Sequence, residues 1–294
     1  MAEDLCDTTL HGVHGEKMPV VWNLAGSNFT HTSNGHTGRF GTLGKLPKEV
    51  EWSLLGEGEA TFYLDGMMRD AAKDPSEKPK FGWVLESKSI RPQLIPHLKK
   101  EYLGYFEIFR AIFTHNQELL ALDNRFRFCI WGGSWILYPR IYTKSKLISA
   151  VNSGKNWCDG HRWRNEFIER HRDRFDLFGN STRHIAHKEI GLNDYMFSIA
   201  IENSSYATYF TEKILDCFAT GTIPIYRGAP DIGDYFNVKG IIMIDDDAGD
   251  FDFDQITPDL YFSKLDAVRD NFERVQKMHC AEDWIYRTYR GELF

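Results

Sequence analysis

The run MFSIAI, Met196 to Ile201, is apolar at nearly every position and lacks the polar alternation of a strand with one wet face. Such a segment suits a strand covered on both sides. Ten residues on, TEKILDCFATG starts at a natural helix cap, Thr211, and ends at Gly221, with Ile214, Leu215, Phe218 and Ala219 available for burial. TIPIYRGAP then supplies a second apolar strand and a tight loop. Strand, helix, strand in this order implies a parallel, doubly wound α/β sheet.

The alternation extends upstream and downstream. KLISAV reads as a strand, His161 to Phe175 as a helix burying Trp163, Phe167, Ile168 and Phe175, and DLFG and GIIMIDD as further strands. In the first half, PVVWNLAG, EVEWSLL, ATFYLDGM, KFGWVLES and RFRFCIW read as strands, with helices predicted over Pro92 to Leu103 and over FEIFRAIFTHNQELLAL. The polar, glycine-rich stretch after PVVWNLAG is a long loop of the kind that carries function, and His31 and His36 within it read as part of a mobile polar loop or as contacts to a bound molecule. The glycines and proline of Gly132 to Lys146 mark the crossing between halves. The expected division is 1–140, 141–275 and a terminal segment, 276–294. PDLYFSKLDAVRDNFERVQKMH reads as one amphipathic helix with Leu260, Leu265, Val268, Phe272 and Val275 near one face.

Composition narrows the partners. With 294 residues, 42% of them hydrophobic, the chain can bury large cores, and a net charge of −7 provides no general field for a phosphodiester backbone, so nucleic acid is not an expected partner. Aromatic residues reach 14%, compatible with flat surfaces that stack on sugar or base rings. The five cysteines are odd in number and widely spaced, which predicts reduced thiols. No apolar run approaches a membrane span and the N-terminus lacks the regions of a signal peptide, so a soluble, cytoplasmic protein is expected. The sequons at Asn28, Asn180 and Asn203 then read as chance matches.

The stretch ENSSYATYFTEK, Glu202 to Lys213, carries the strongest chemical signal. Ligands of open parallel sheets bind beyond the carboxyl ends of strands, where Glu202 and Asn203 fall. Thr211 opens a helix whose free amides favour an anion, yet Lys213 adds a positive charge in the same turn; a phosphate would reconcile the two. Glu212 can accept two hydrogen bonds from a ribose diol, and Tyr209 offers a phenol and a ring face. These residues fit a nucleotide diphosphate site. They equally fit ordinary helix-end chemistry with a solvated lysine and a turn-capping asparagine. No Walker-type glycine loop is present, and GEGEA is too poor a pattern for a dinucleotide fingerprint.

The run FSIAIENSSYATYFTEKILDCFATGTIPIYRGAPDIGDYF resembles the donor-binding segment of the α1,3-fucosyltransferases, glycosyltransferase family 10: apolar strand, Glu-Asn-Ser, Thr-Glu-Lys, amphipathic helix, then an Ile-Pro-Ile strand and Gly-Ala-Pro. KSKLISAVNSGKNWCDGHRWRNEFIERH resembles the family's strand-loop-helix with a phosphate-meeting arginine, here Arg164, and KFGWVLESKSIRP the segment holding its catalytic base, here Glu86. Lys88 stands where the family usually has proline. The resemblance implies a GT-B fold, two Rossmann-like domains facing a cleft, with a glycan acceptor on the first and GDP-fucose on the second. It implies an inverting fucosyl transfer with Glu86 as base, Arg164 and Lys213 on the diphosphate, Asn203 and Tyr209 touching the donor, Glu212 on its hydroxyls, and no obligatory cofactor or metal. Rival readings are a transferase using another nucleotide sugar, a non-catalytic glycan- or nucleotide-binding protein of the same fold and, more distantly, an oxidoreductase.

Other patterns are weaker. Asp245-Asp246-Asp247 resembles a metal-binding Asp-x-Asp, and Cys158/His161 and His184/His187 have zinc-like spacing, but no metal site is expected from either. Trp83 and Trp135 are candidates for the cleft wall or the core. In many transferases of the GT-B fold the last helix returns to the first domain; Trp284 and Tyr286 suit that return, or a dimer contact.

Overall fold

The computed structural model describes residues 18–25, 47–53, 55–130, 133–179, 182–245, 251–278 and 280–294. His31, His36, Asn28, Asn180, Asp246 and Asp247 lie outside the described residues.

Two parallel sheets follow one another along the chain. The first runs through β1 (Val20–Leu24), β2 (Val50–Ser53), β3 (Ala60–Leu64), β4 (Lys80–Val84), β5 (Ala111–Thr114) and β6 (Phe126–Phe128), in the spatial order β2-β1-β3-β4-β5-β6. The second runs through β7 (Lys146–Val151), β8 (Asp176–Phe178), β9 (Tyr195–Ile201), β10 (Ile223–Arg227) and β11 (Ile242–Met243), in the order β11-β10-β9-β7-β8. Every pairing among them is parallel. β9 is buried at all seven positions, as the near-continuous apolar run requires of a strand with partners on both edges and cover on both faces. Its neighbours β7 and β10 leave it in opposite directions of the strand order, so the loops after β7 and β9 open a crevice at their carboxyl ends.

The helices are α1 (Leu94–Tyr105), α2 (Gln117–Leu120), α3 (Asp159–Arg170), α4 (Glu212–Thr220), α5 (Pro258–Ser263), α6 (Leu265–Lys277) and α7 (Ala281–Tyr289). Two departures from the sequence reading have clear causes. The helix expected over Phe106 to Leu122 is instead β5 and the short α2: Ala111–Thr114 is buried at every position and hydrogen-bonds between β4 and β6, so sheet pairing overrides a spacing that also fits a helix. The single helix expected from Pro258 divides at Lys264 into α5 and α6. A 3-10 helix, Asp65–Lys73, also follows β3 where the strand was expected to continue.

The terminal segment returns to the first sheet. Glu282 on α7 accepts from Trp52 Nε1 at 3.2 Å, Asp283 accepts from the backbone N–H groups of Lys48 and Glu49, and Tyr289 donates to the Phe128 carbonyl at 2.7 Å. The Phe294 ring stacks on Trp22 at 4.8 Å. One apolar cluster therefore runs from Trp22, Phe62 and Phe113 through Ile130 and Ile136 to Leu215 and Phe218 of α4 and to Ile285 and Leu293. Trp83 belongs to this core and is fully buried. Cys129, Cys158, Cys217 and Cys280 are buried free thiols.

Candidate active site

The carboxyl end of β9 delivers Glu202 into the interior, where it has no solvent exposure. Its carboxylate accepts from the Thr211 N–H at 2.8 Å, from the Thr211 hydroxyl at 2.8 and 2.9 Å, and from Lys213 Nζ at 3.0 Å. A buried charge survives only when so paired. The arrangement determines where Lys213 sits: its ammonium donates also to Thr211 Oγ1 at 2.9 Å and lies 3.4 Å from Glu212 Oε1. Thr211 caps α4, and Gly221 closes it in the left-handed region at φ 72°, as expected for a cap and stop at those positions. Glu202 thus faces inward and orients Lys213.

Around that lysine are groups with unused hydrogen-bonding capacity. Arg164, on α3, is 6% exposed, and its Nε and Nη2 have no hydrogen-bond partner; Glu212 Oε2 has none either. Burial lowers the guanidinium's hold on its proton, opposed by Glu202 and Glu212. Stranded buried donors are costly and call for an explanation. Burial alone would push the Glu212 carboxyl up, but Lys213 and Lys188 outweigh it and hold it well below the usual range. His161, one turn before Arg164, is buried, and burial together with the charges of Arg164, Lys213 and Lys155 brings it down to about 4. It is neutral, and its Nδ1 accepts from the Trp157 N–H at 3.2 Å.

Asn203 and Tyr209 are joined: the Tyr209 phenol donates to Asn203 Oδ1 at 2.9 Å. Gly160, in the first turn of α3, packs so close beneath that a Cβ there would stand 2.1 Å from the Asn203 carbonyl oxygen. Thr208 adopts a left-handed φ of 69°, a strained choice for a β-branched residue. The strain is held by Asp231, whose carboxylate takes the Thr208 N–H at 2.8 and 3.0 Å, while the Thr208 hydroxyl donates to the His115 carbonyl of the first half.

Glu86 follows β4 on that first half. Burial raises its carboxyl above the ordinary range, while Lys155, Arg91 and Lys213 pull the other way. Its backbone is fixed by Asp65, whose Oδ1 accepts the N–H groups of Leu85 and Glu86 at 2.9 and 3.3 Å. Asp65 has a left-handed φ of 43°, and burial raises its carboxyl to about 6, with Glu86 adding to the rise. Further contacts join the halves beside the crevice: Ser204 donates to Ser89 at 2.7 Å, and the Lys88 ammonium lies 4.8 Å from the centre of the Tyr206 ring.

A ladder of charges continues behind α4. Lys188 Nζ donates to Asp216 at 2.8 Å and lies 3.5 Å from Glu212, over the face of Trp135. Burial pulls the ammonium down, but the two carboxylates outweigh that and keep it above its ordinary range. Asp216 in turn accepts from Ser134 and the Trp135 N–H, on the segment that connects the sheets.

The structure therefore brings Arg164, Glu202, Asn203, Tyr209, Thr211, Glu212 and Lys213 to one place, with Glu86 near enough to feel Lys213 and Glu212. Sequence reasoning did not find Asp65, Lys188, Asp216 or Thr208; a non-glycine left-handed residue or a pairing across 28 positions leaves no local signal. Among the described residues no group of three or more His, Cys, Asp or Glu is placed to hold a metal ion. Cys158 is directed at the Asn203 carbonyl, and His184 and His187 are exposed. A separate concavity of about 320 Å³, lined by His171, Asp173, Arg174 and residues 251–254, contains none of these groups.

Residues 142–248, which hold β7 to β11 and the cluster from Arg164 to Lys213, match the model of the C-terminal domain of glycosyltransferase family 10 (fucosyltransferase). The second half is thus similar to the C-terminal domain of family 10. Similar curated proteins include the α-(1,3)-fucosyltransferase FucT of Helicobacter pylori, 37% identical over 62 residues, and the α-(1,3)-fucosyltransferase B of Drosophila melanogaster, 45% identical over 56. These matches span 21% and 19% of this chain and 13% of each relative. Among solved structures, an α1,3-fucosyltransferase superposes over 97% of this chain and 94% of its own, with TM-score 0.52 and 13% identity. Sucrose-phosphate synthase from Thermosynechococcus elongatus superposes over 79% and 72%, with TM-score 0.50 and 10% identity. The second sheet with its helices and the sheet before it form a GT-B fold, two parallel α/β domains that meet at the crevice. No helix among the described residues is long and apolar enough to cross a membrane.

Proposed function

We propose that the protein transfers fucose from GDP-fucose to a hydroxyl of a glycan acceptor, with inversion at the anomeric carbon. The observation that carries this reading is the buried Arg164 guanidinium with two unpartnered nitrogens, beside Lys213 and the start of α4, all within the residues similar to family 10. A diphosphate supplies the acceptors that the Arg164 guanidinium lacks. Asn203 and Tyr209 line the donor, and the unpartnered Glu212 Oε2 accepts from its sugar or ribose hydroxyls.

In the transfer, Glu86 takes the proton of the acceptor hydroxyl, and that oxygen forms the new bond to the anomeric carbon. The bond from that carbon to the phosphate oxygen breaks on the opposite face, and the electron pair leaves with GDP. Arg164, Lys213 and the start of α4 stabilise the charge that develops on the leaving diphosphate, with Lys213 held by Glu202 and Thr211. Burial that raises Glu86 also makes it a stronger base than an exposed carboxylate.

Isothermal titration with GDP, UDP and GDP-fucose tests the reading. Both guanine nucleotides should bind more tightly than UDP, and Lys213→Ala should weaken them about tenfold to a hundredfold, the worth of one charge-assisted hydrogen bond. Absence of GDP binding, or a preference for UDP, would remove the fucosyl assignment.

A further inference from the structure

The loop after β7, residues 152–157, stands at the mouth of the crevice and takes no part in the donor contacts above. It is pinned along its length. Asn152 Nδ2 donates to Asn165 Oδ1 at 2.9 Å, Asn165 Nδ2 donates to the Lys155 carbonyl at 3.1 Å, and the Trp157 N–H donates to His161 at 3.2 Å. Gly154 turns the chain with a left-handed φ of 70°. What this fixed loop displays is an indole: Trp157 is 69% exposed, with the Lys155 ammonium 4.6 Å from its ring centre. A large aromatic held in water by a braced loop is a binding surface rather than spare core.

Its position relative to Glu86 places it in the crevice. Lys155 is the cation with the largest effect on the Glu86 carboxyl, ahead of Arg91 and Lys213, and it acts on His161 of α3 too, so the lip borders both the first half and the recess around Arg164. Exposed Lys88 and Arg91 follow Glu86 on the other bank. Neither Arg91 nor Lys155 forms an ion pair among the described residues. In a chain of net charge −7, three cations around one carboxylate make a local basic rim.

We propose that this loop is the acceptor-binding lip and that the acceptor is an acidic saccharide, its ring stacked on Trp157 and its anionic substituent met by Lys155 and Arg91. The proposal deepens the transferase reading and rests on it for the role of Glu86. A sugar ring offers the apolar C–H face that an indole prefers, and a carboxylate or sulfate ester on that ring would draw Lys155 off the indole.

The test is titration of the full chain, with and without GDP, by one neutral disaccharide and by the same disaccharide carrying a single sulfate or a single carboxylate. The acidic forms should bind about tenfold more tightly than the neutral one, and the gap should narrow on raising the salt. Lys155→Gln should erase most of the gap, and Trp157→Ala should weaken every saccharide about tenfold while GDP affinity stays unchanged. A gap for sulfate alone, or for carboxylate alone, names the substituent. Equal affinities, no saccharide binding, or a Trp157→Ala variant that loses GDP instead would overturn the proposal. Failure of GDP to bind while the acid preference persists would sink the donor assignment and leave the lip standing.

Discussion

Replacing Glu202 separates two kinds of residue that a sequence cannot tell apart, one that touches the donor and one that holds the group that does. Glu202→Ala removes a carboxylate with no solvent exposure and three partners: the Thr211 N–H, the Thr211 hydroxyl and the Lys213 ammonium. Removing one member of a buried ion pair costs about 3–5 kcal/mol. Lys213 keeps some access to water, its side chain being 24% exposed, which places the expectation near the lower limit, about 3 kcal/mol. At about 2–4 °C per kcal/mol for a chain of this size, the melting temperature should fall by roughly 6–12 °C. Glu202→Gln keeps an acceptor for the Thr211 N–H but no charge for Lys213, and should cost less. Urea denaturation followed by tryptophan fluorescence gives the free energies, and GDP titration of each folded variant gives the affinities. If Glu202→Ala lost GDP binding but less than 1 kcal/mol of stability, Glu202 would be a donor contact and the internal role assigned to it would be wrong.

Other outcomes follow from the same geometry. Glu86→Gln should lower turnover by about 10²–10⁴ at unchanged GDP affinity; because burial raises the Glu86 carboxyl, the parent's kcat/KM should fall as pH drops through a value above the ordinary glutamate range. Asp65 binds its proton more tightly when folded, at about 6 against 3.8, so its contribution is full below the unfolded value and is lost as pH rises through 6. Up to about 3 kcal/mol of stability is at stake, and Asp65→Asn, which keeps the acceptor for Leu85 and Glu86, should flatten the change in urea midpoint between pH 4 and 7. Gly160→Ala drives a methyl into the Asn203 carbonyl and should cost about 1–3 kcal/mol together with GDP affinity; a variant as stable as the parent would contradict the close packing of α3 on that loop.

The second half was readable because its signals are local. A near-continuous apolar run, a threonine cap and a glycine stop specify β9, α4 and the turn between α4 and β10 within 32 residues, 196–227, and the charges of Glu202, Glu212 and Lys213 fall inside the same window. β5 was not readable, because four apolar residues flanked by helix-forming ones fit either period until β4 and β6 provide partners. The supporting groups escaped for a related reason. Nothing near Asp65 in sequence indicates that its carboxylate holds the backbone 20 positions away, and Lys188 meets Asp216 only after the sheet has assembled. Arg164 was found by family likeness; its amphipathic position on α3 alone would have read as a snorkelling surface arginine.

The return of α7 to the first sheet bears on how the chain is made. Strands β7 to β11 and α3 to α6 form a contiguous block, able to fold as it leaves the ribosome. The earlier sheet has no such independence: Trp22, Trp52 and Phe128 wait for Glu282, Trp284, Tyr289 and Phe294, synthesised more than 150 residues later. During translation the nascent first domain must hold its tryptophan face uncovered while the second domain matures, reversing the usual N-to-C order of completion.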